Sequence, residues 1–409
     1  MRRLIPLFLA ALLLFGCAPT APLPQNTETT TAATTVTTAT TAVEPTFENT
    51  TTENSTGTTA ETTVPTTQEA TMTTTVTTAA PTTTADWRKG YTSKQIIKDN
   101  GFKNGFTIMG RDHSKEVVGT WEYNLTVDGP MWDVNQGGCY RYYNDFETRL
   151  CMLRDRLESD KYTLTDGMKT LKFNKKSGVL TMGLNTFEHY GGQGHTASGV
   201  TWPGLLLNQE FITAMQYKTL PDSEKPYYSG AADKIILTLD LKLSKYRHQP
   251  YVGVNACQFL MFLCVHNSAG AGDGFVWFGL PFFDSRGYDQ NKDGIFLYDE
   301  GTSSLIFDIP TVELHNNTRP DGRYDFFNAE LTAPEVSDEW WHLEIDVKPW
   351  LELLASQAIE GTKYNVFRQA ESVDDLYLTG MNIGFEALGS YDVEFEVKNF
   401  SLTSYVAKE

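Results

Sequence analysis

From Trp121 to Leu402 the chain repeats one arrangement: apolar residues at every second position, in short runs broken by Gly, Pro or Asp. Trp121, Tyr123, Leu125 and Val127 make one such run, and Leu180, Met182 and Leu184 another. Ile235, Leu237, Leu239, Leu241 and Leu243 alternate with Thr238, Asp240, Lys242 and Ser244. The pattern returns at Trp341, Leu343, Ile345 and Val347, and again at Tyr391, Val393, Phe395 and Val397. A period of two marks strands with one buried face, so the runs predict an all-β fold, a two-sheet antiparallel β-sandwich. The stretch 255–266 differs. There Phe259, Met261, Leu263 and Val265 alternate with Leu260, Phe262 and Cys264, which are equally apolar, and such a strand is covered on both faces. A Gly-rich turn, Ala269 to Gly274, and a second apolar run, Phe275 to Leu280, complete a long-looped hairpin in the middle of a sheet.

Helical patterns are few. Thr92-Ser93-Lys94-Gln95 has capping-box spacing and Asn100-Gly101 supplies a stop, which predicts a short opening helix. Pro349 at a first-turn position, with Trp350, Leu351, Leu354 and Ala358 on one side and Gly361 after them, predicts a second.

Composition divides the chain in three. Residues 18–85 are mostly Thr with Ala, Val and Pro and carry no Lys or Arg, too little apolar matter to offset the entropy of ordering. They are expected to form a disordered stalk, with a reach from about 50 Å as a coil to the order of 200 Å near polyproline II. Residues 1–17 have the basic start Arg2-Arg3, a short apolar core and then Gly16-Cys17, the layout of a secretory signal and too short for a comfortable membrane span. Leu14-Phe15-Gly16-Cys17 resembles the bacterial lipobox, which implies lipidation of Cys17 and an ectodomain outside the cell, lipid-anchored at the bacterial cell surface. Residues 86–409 are aromatic-rich and long enough for a sizeable core, with neither an internal repeat nor a second boundary.

The formal net charge of −18 argues against a nucleic-acid partner and against direct adsorption to anionic lipid. A neutral polysaccharide suits it better, and the domain is expected to be a monomer. Cys257 and Cys264 are an odd number of positions apart on one strand, so they face opposite ways and cannot bridge each other. Cys139 and Cys151 could pair or remain free thiols. There is no CxxC pair, G-x-S-x-G, H-E-x-x-H or P-loop.

Four constellations carry candidate chemistry. Asp289, Asn291, Asp293, the carbonyl of Ile295 and Glu300 have the oxygen-ligand spacing of an EF-hand loop, with Gly294 for the sharp turn. Their flanks are not helical, so the expectation is a structural Ca²⁺ loop between strands, or else a solvated turn. Glu344-Ile345-Asp346 resembles the start of the E-x-D-x-x-E strand of laminarinase-type glucanases, but Pro349 occupies the third carboxylate's place, which leaves two outward residues of an edge strand. His189, Tyr190 and His195 lie in a Gly-rich stretch and could act as acid and base, or stack on sugars, with Trp202, Gln209 and Glu210 just downstream. Gln258, His266, Asn382 and Glu386 are polar residues on otherwise apolar strands. Asn382 and Glu386 share a face with Gly380 and Gly384, a plausible floor for a sugar groove, or else a buried polar network.

Met381-Asn382-Ile383-Gly384-Phe385-Glu386 and the following strand resemble the closing strands of jelly-roll carbohydrate-binding modules and concanavalin-like glycanases. The resemblance implies a jelly roll with a sugar-facing sheet and transfers no catalytic residue. Two readings follow. In the first, a surface lipoprotein binds polysaccharide through Trp202, Gln209, Gln258, His266, Asn382 and Glu386. In the second, a glycoside hydrolase or polysaccharide lyase draws its catalytic groups from His189, Tyr190, His195, Glu210 and Glu386.

Overall fold

The period-two runs become strands, save that Tyr123, Leu125 and Val127 lie outside the described residues, and the strands divide between two sheets. The computed structural model describes residues 87–110, 115–122, 129–138, 161–190, 202–250, 255–270, 274–286, 295–299, 304–310, 314, 318–319, 336 and 338–408. The first sheet has eight strands: β1 (Tyr91–Gln95), β5 (Lys161–Thr165), β6 (Lys169–Asn174), β7 (Val179–Asn185), β9 (Lys234–Gln249), β14 (Thr318–Arg319), β15 (Trp341–Asp346) and β17 (Ser390–Ala407). Their order is β14-β15-β9-β17-β7-β6-β5, with β1 also on β17. The second sheet has nine: β2 (Phe106–Met109), β3 (Val117–Trp121), β4 (Trp132–Gly137), β8 (Gly204–Glu210), β10 (Ala256–Asn267), β11 (Val276–Asp284), β12 (Ile295–Asp299), β13 (Ser304–Asp308) and β16 (Leu376–Leu388). Their order is β12-β13-β11-β10-β16-β8-β4-β2-β3. Every pairing is antiparallel except β2 with β4 and β11 with β13. The fold is an all-β, two-sheet jelly-roll sandwich.

The core is the space between the sheets. Ile235, Leu237, Leu239, Leu241 and Leu243 of β9 are at most 1% exposed, as their alternation requires. They meet the second sheet's Phe259, Met261, Leu263 and Val265, all at 0%. Phe259 stacks on Phe395 of β17 at 4.6 Å between ring centres, and Phe385 lies 5.9 Å from the same ring. In β17 the inward positions are odd as far as Val397 and even from Phe400 onward. The change of phase falls at a register shift between Lys398 and Ser401, where Asn399 takes φ 52°.

Two expectations about helices separate here. Lys348–Ala358 is helical, with Pro349 in the first turn and Leu351, Leu354 and Ala358 buried. Thr92 to Gln95 is not: it is strand β1, paired with β17 from Thr92↔Val406 to Gln95↔Thr403. The capping-box residues serve the ladder instead, Thr92 Oγ1 donating to the Val406 carbonyl and Thr403 Oγ1 donating to Gln95 Oε1. A free strand edge on β17 satisfies five backbones at once, more than one marginal helical turn can.

The outer faces of the two sheets differ in charge. On the first sheet, lysines answer carboxylates across the strands: Lys172–Glu394, Lys242–Glu396, Lys245–Asp392 and Lys234–Asp346. Glu344 likewise pairs with Arg88, so Glu344 and Asp346 are outward ion-pair residues. The outer face of the second sheet carries Asp133, Glu210, Asp284, Asp308 and Glu386, and only Asp284 has a salt bridge, to Arg286, among the described residues.

Candidate functional site

Register gathers polar side chains into rows across the outer face of the second sheet. One row runs Gly204–Glu386–Gln258–Asp284 over β8, β16, β10 and β11. A second runs Asp133–Asn208–Asn382–Phe262–Gly279–Asp308 over six strands. Leu206 and Leu260 lie between the rows, and Trp277 stands beyond the second, 5.8 Å from Phe262 between ring centres. Asp284, Asn382 and Asp308 are only 7–8% exposed although they point away from the core. The face therefore holds shielded polar groups beside apolar and aromatic side chains.

Burial sets the protonation of this floor. Glu386 is half-buried, and the protein around it is dense enough that desolvation, with Asp299 as a like charge, lifts its carboxyl to about 7. Asp308 is lifted to about 7 in the same way, by burial first and by Asp284 second. Its side chain lies over Gly279: a Cβ there would meet Asp308 Oδ1 at 1.8 Å. Asp284 is held differently. Oδ1 accepts from the backbone N–H and Nε of Arg286, and Oδ2 accepts from Arg286 Nε and Nη2 and from Gln258 Nε2 at 2.9 Å.

Glu386, Gln258 and Asn382 are thus brought together. Trp202 stands two positions before Gly204, beside the Glu386 row, with its carbonyl 3.9 Å from where a Gly204 Cβ would be. Tyr190 is buried on a one-turn helix, Phe187–Tyr190, and its hydroxyl donates to the carbonyl of Ala387, next to Glu386. His189 packs edge-on against that ring at 4.5 Å.

The other expected residues lie elsewhere. Gln209 is on the core side, where Oε1 accepts from Lys98 N–H and Nε2 donates to the carbonyls of Lys98 and Met131, so its amide clamps backbone. Glu210 sits at the opposite end of β8, its carboxyl raised by burial, with Lys98 and Asp133 as neighbouring charges. His266 is eight positions along β10 from Gln258, about 26 Å. Its ring stacks on Phe275 at 5.5 Å, and burial pulls its pKa down to about 4. Cys257 and Cys264 are buried thiols outside any disulfide, on opposite faces, with Cys264 Sγ 3.3 Å from His266 Nε2. Gly380 and Gly384 serve close approach between strands rather than space above them: a Cβ would meet the Gln209 carbonyl at 2.6 Å and the Leu205 carbonyl at 2.0 Å. His195, Asp289, Asn291, Asp293, Glu300, Cys17, Cys139 and Cys151 lie outside the described residues. Ile295 opens β12 opposite Asp308. Among the described residues no three His, Cys, Asp or Glu side chains gather as a metal site, and no helix is long and apolar enough to cross a membrane. A separate hollow of about 380 Å³, lined by Tyr217, Lys225, Ser229 and Asp374, lies away from the rows.

Asp133, Asp299 and Asp308 went unrecognised in the sequence. Asn208 is visible there as an amide beside Gln209, and parity separates the two: with Leu205 and Leu207 inward, Asn208 faces outward and Gln209 inward.

No family model and no curated protein matches the chain. Solved structures with a related outline include a thermostable cellulase derived from Cel12A of Rhodothermus marinus, at 10% identity over 60% of this chain and 90% of that one, TM-score 0.30. A family 12 xyloglucanase from Bacillus licheniformis gives 10% identity, 61% and 94% coverage and TM-score 0.32. A family 11 xylanase from Neocallimastix patriciarum gives 9% identity, 60% and 90% coverage and TM-score 0.29. Likenesses this loose leave the activity to be argued from the chain's own residues.

Proposed function

We propose that the chain is a surface lipoprotein that holds a neutral polysaccharide on the outer face of its second sheet and does not cut it. The observation that carries this reading is the cross-strand pair Glu386–Gln258. A retaining glycosidase needs two carboxyls about 5–5.5 Å apart, and directly opposed residues on neighbouring strands have Cβ atoms about 4.5–5.5 Å apart. Glu386 is a carboxyl that keeps its proton to about pH 7, suited to donate to a glycosidic or hydroxyl oxygen. Its opposite number is an amide, which cannot serve as nucleophile. Asp284, two strands away and therefore about 9.5 Å off, is at the long edge of the inverting range of roughly 6.5–9.5 Å. Each of its oxygens already accepts at least two hydrogen bonds, which leaves no lone pair for activating water. Among the described residues, what remains on this face is a set of hydrogen-bonding groups beside aromatic side chains, the make-up of a sugar site.

Glu386 itself motivates a second reading: a carboxyl lifted to about 7 by burial suits the general acid of a hydrolase if the groove is catalytic. Retention of the purified protein on cellulose, xylan and mixed-linkage glucan, with reducing ends assayed in the same tubes, separates the readings. Retention without release, weakened about tenfold or more in Trp202→Ala, supports binding. Release that disappears in Glu386→Gln supports hydrolysis.

The tether belongs to the same proposal. Cys17 carries the lipid, and residues 18–85 lift the sandwich clear of the membrane. Cys17→Ser is expected to move the protein from the membrane fraction to the soluble fraction with its melting temperature unchanged, because the stalk uncouples anchor from fold. Persistence in the membrane fraction would discard the anchor.

A further inference from the structure

We infer that the far half of the second row, Asp133–Asn208–Asn382, is a site for a hard divalent cation, Ca²⁺ in particular. These residues sit side by side on β4, β8 and β16, in direct register. Their Cβ atoms are therefore about 4.5–5.5 Å from one another in sequence along the row. Asn382 is 8% exposed and its Oδ1 is buried with no hydrogen-bond partner. Asn208 Oδ1, directly opposite, is buried and without a partner as well. Two adjacent amide oxygens that have given up water and found no donor point to a ligand that acts as a donor to both.

The surroundings favour a cation over a neutral donor. Asp133 flanks Asn208 on the next strand, with the hydroxyl of Thr107 bonded to its carboxyl. Glu210 lies two positions beyond Asn208 on the same face, and Lys98 answers only part of that charge. The set is all oxygen: two carboxylates, two amide carbonyls and one hydroxyl. Calcium accepts such mixed, irregular oxygen shells, with water or sugar hydroxyls in the remaining positions, whereas Mg²⁺ demands a near-ideal octahedron. No cysteine or histidine stands in the row to draw a softer metal. The site shares no residue with the Asp289–Glu300 stretch and does not rest on the glycan reading.

The test is calorimetric titration of CaCl₂ into the metal-stripped, full-length protein with no glycan present, beside melting curves in chelator and in 2 mM calcium. The site is expected to bind with a dissociation constant of order 10⁻⁴–10⁻³ M, the range of extracellular calcium modules. Asp133→Asn should weaken binding at least tenfold. Asn208→Asp, which adds a charge to the same oxygen position, should tighten it by about as much and raise the calcium-dependent melting temperature. Asp293→Ala serves as the control for the other loop and should leave this binding unchanged. The inference is overturned if no calcium binds, if binding survives Asp133→Asn undiminished, or if only Asp293→Ala abolishes it. Should Asn208→Asp bind calcium no better than wild type, the two amides belong to water or sugar hydroxyls instead and the cation is rejected.

Discussion

Gln258→Glu is expected to turn the groove into a retaining glycosidase, with reducing-end release that the wild-type chain does not show. The substitution places a carboxylate directly across from Glu386, in register on the neighbouring strand. Glu386 keeps its proton to about pH 7 and supplies the acid, and the new glutamate supplies the nucleophile. The change has a cost. Gln258 Nε2 donates to Asp284 Oδ2 at 2.9 Å, and the variant replaces that bond with two like charges, an effect of about 1–3 kcal/mol. Arg286, held against Asp284 by both Nε and Nη2, offsets part of it, and Asp284→Asn on the same background removes the rest. A melting curve for each variant therefore accompanies the assay. Release must vanish again when Glu386→Gln is added. A folded Gln258→Glu chain that still binds glycan and releases nothing shows that the pair is not at catalytic spacing.

The second large effect concerns pH. Asp308 and Glu386 both have folded-state pKa values of about 7, against about 4 for ordinary carboxyls, through burial first and then through Asp284 and Asp299 respectively. A carboxyl raised on folding holds its proton more tightly in the native state. Its stabilisation is present below pH 4 and is lost as pH rises from about 4 to about 7. For Asp308, 8% exposed, the loss approaches about 4 kcal/mol; for half-buried Glu386 it is smaller because solvent screens it. His266 works in the opposite direction. Burial lowers it to about 4, so its contribution is present at neutral pH and lost as pH falls from about 6.5 to 4. The wild-type curve is thus the difference of two opposed slopes. Urea unfolding from pH 4 to pH 8 should show Asp308→Asn gaining on wild type as pH rises, and His266→Gln steepening the wild-type decline. Parallel curves for wild type and Asp308→Asn would mean that Asp308 titrates as an ordinary surface carboxyl.

What could be read from the chain, and what could not, follows from where the information sits. Burial along a strand is local, so the alternation at Ile235 to Leu243 and at Tyr391 to Val397 located β9 and β17 and their inner faces. The doubly apolar run in β10 marked the centre of a sheet, and both its faces are shielded, the outward Leu260 and Cys264 being 5% and 7% exposed. Pairing is not local. Gln258 and Glu386 were each visible as polar residues on greasy strands, but nothing in the sequence placed them opposite one another, because β10 and β16 are neighbours only through the fold. The same holds for Asp133, Asn208 and Asn382, three residues from three distant segments in one row. Gln209 was misplaced by parity alone: one position moves a side chain from groove to core. At Thr92 to Gln95 the capping-box spacing is also a period-two pattern, and the edge of β17 decided between the two.

The most direct measurement is isothermal titration of the purified wild-type protein with soluble β-glucan and xylan oligosaccharides, followed by analysis of the same sample for shortened products. A polysaccharide-binding groove that does not cut predicts saturable heat with at least one ligand and chain lengths unchanged after prolonged incubation. It also predicts that Trp202→Ala and Asn382→Leu weaken binding while leaving the fold intact. No heat with any neutral glycan, or oligosaccharides shortened by the wild-type chain, would contradict it.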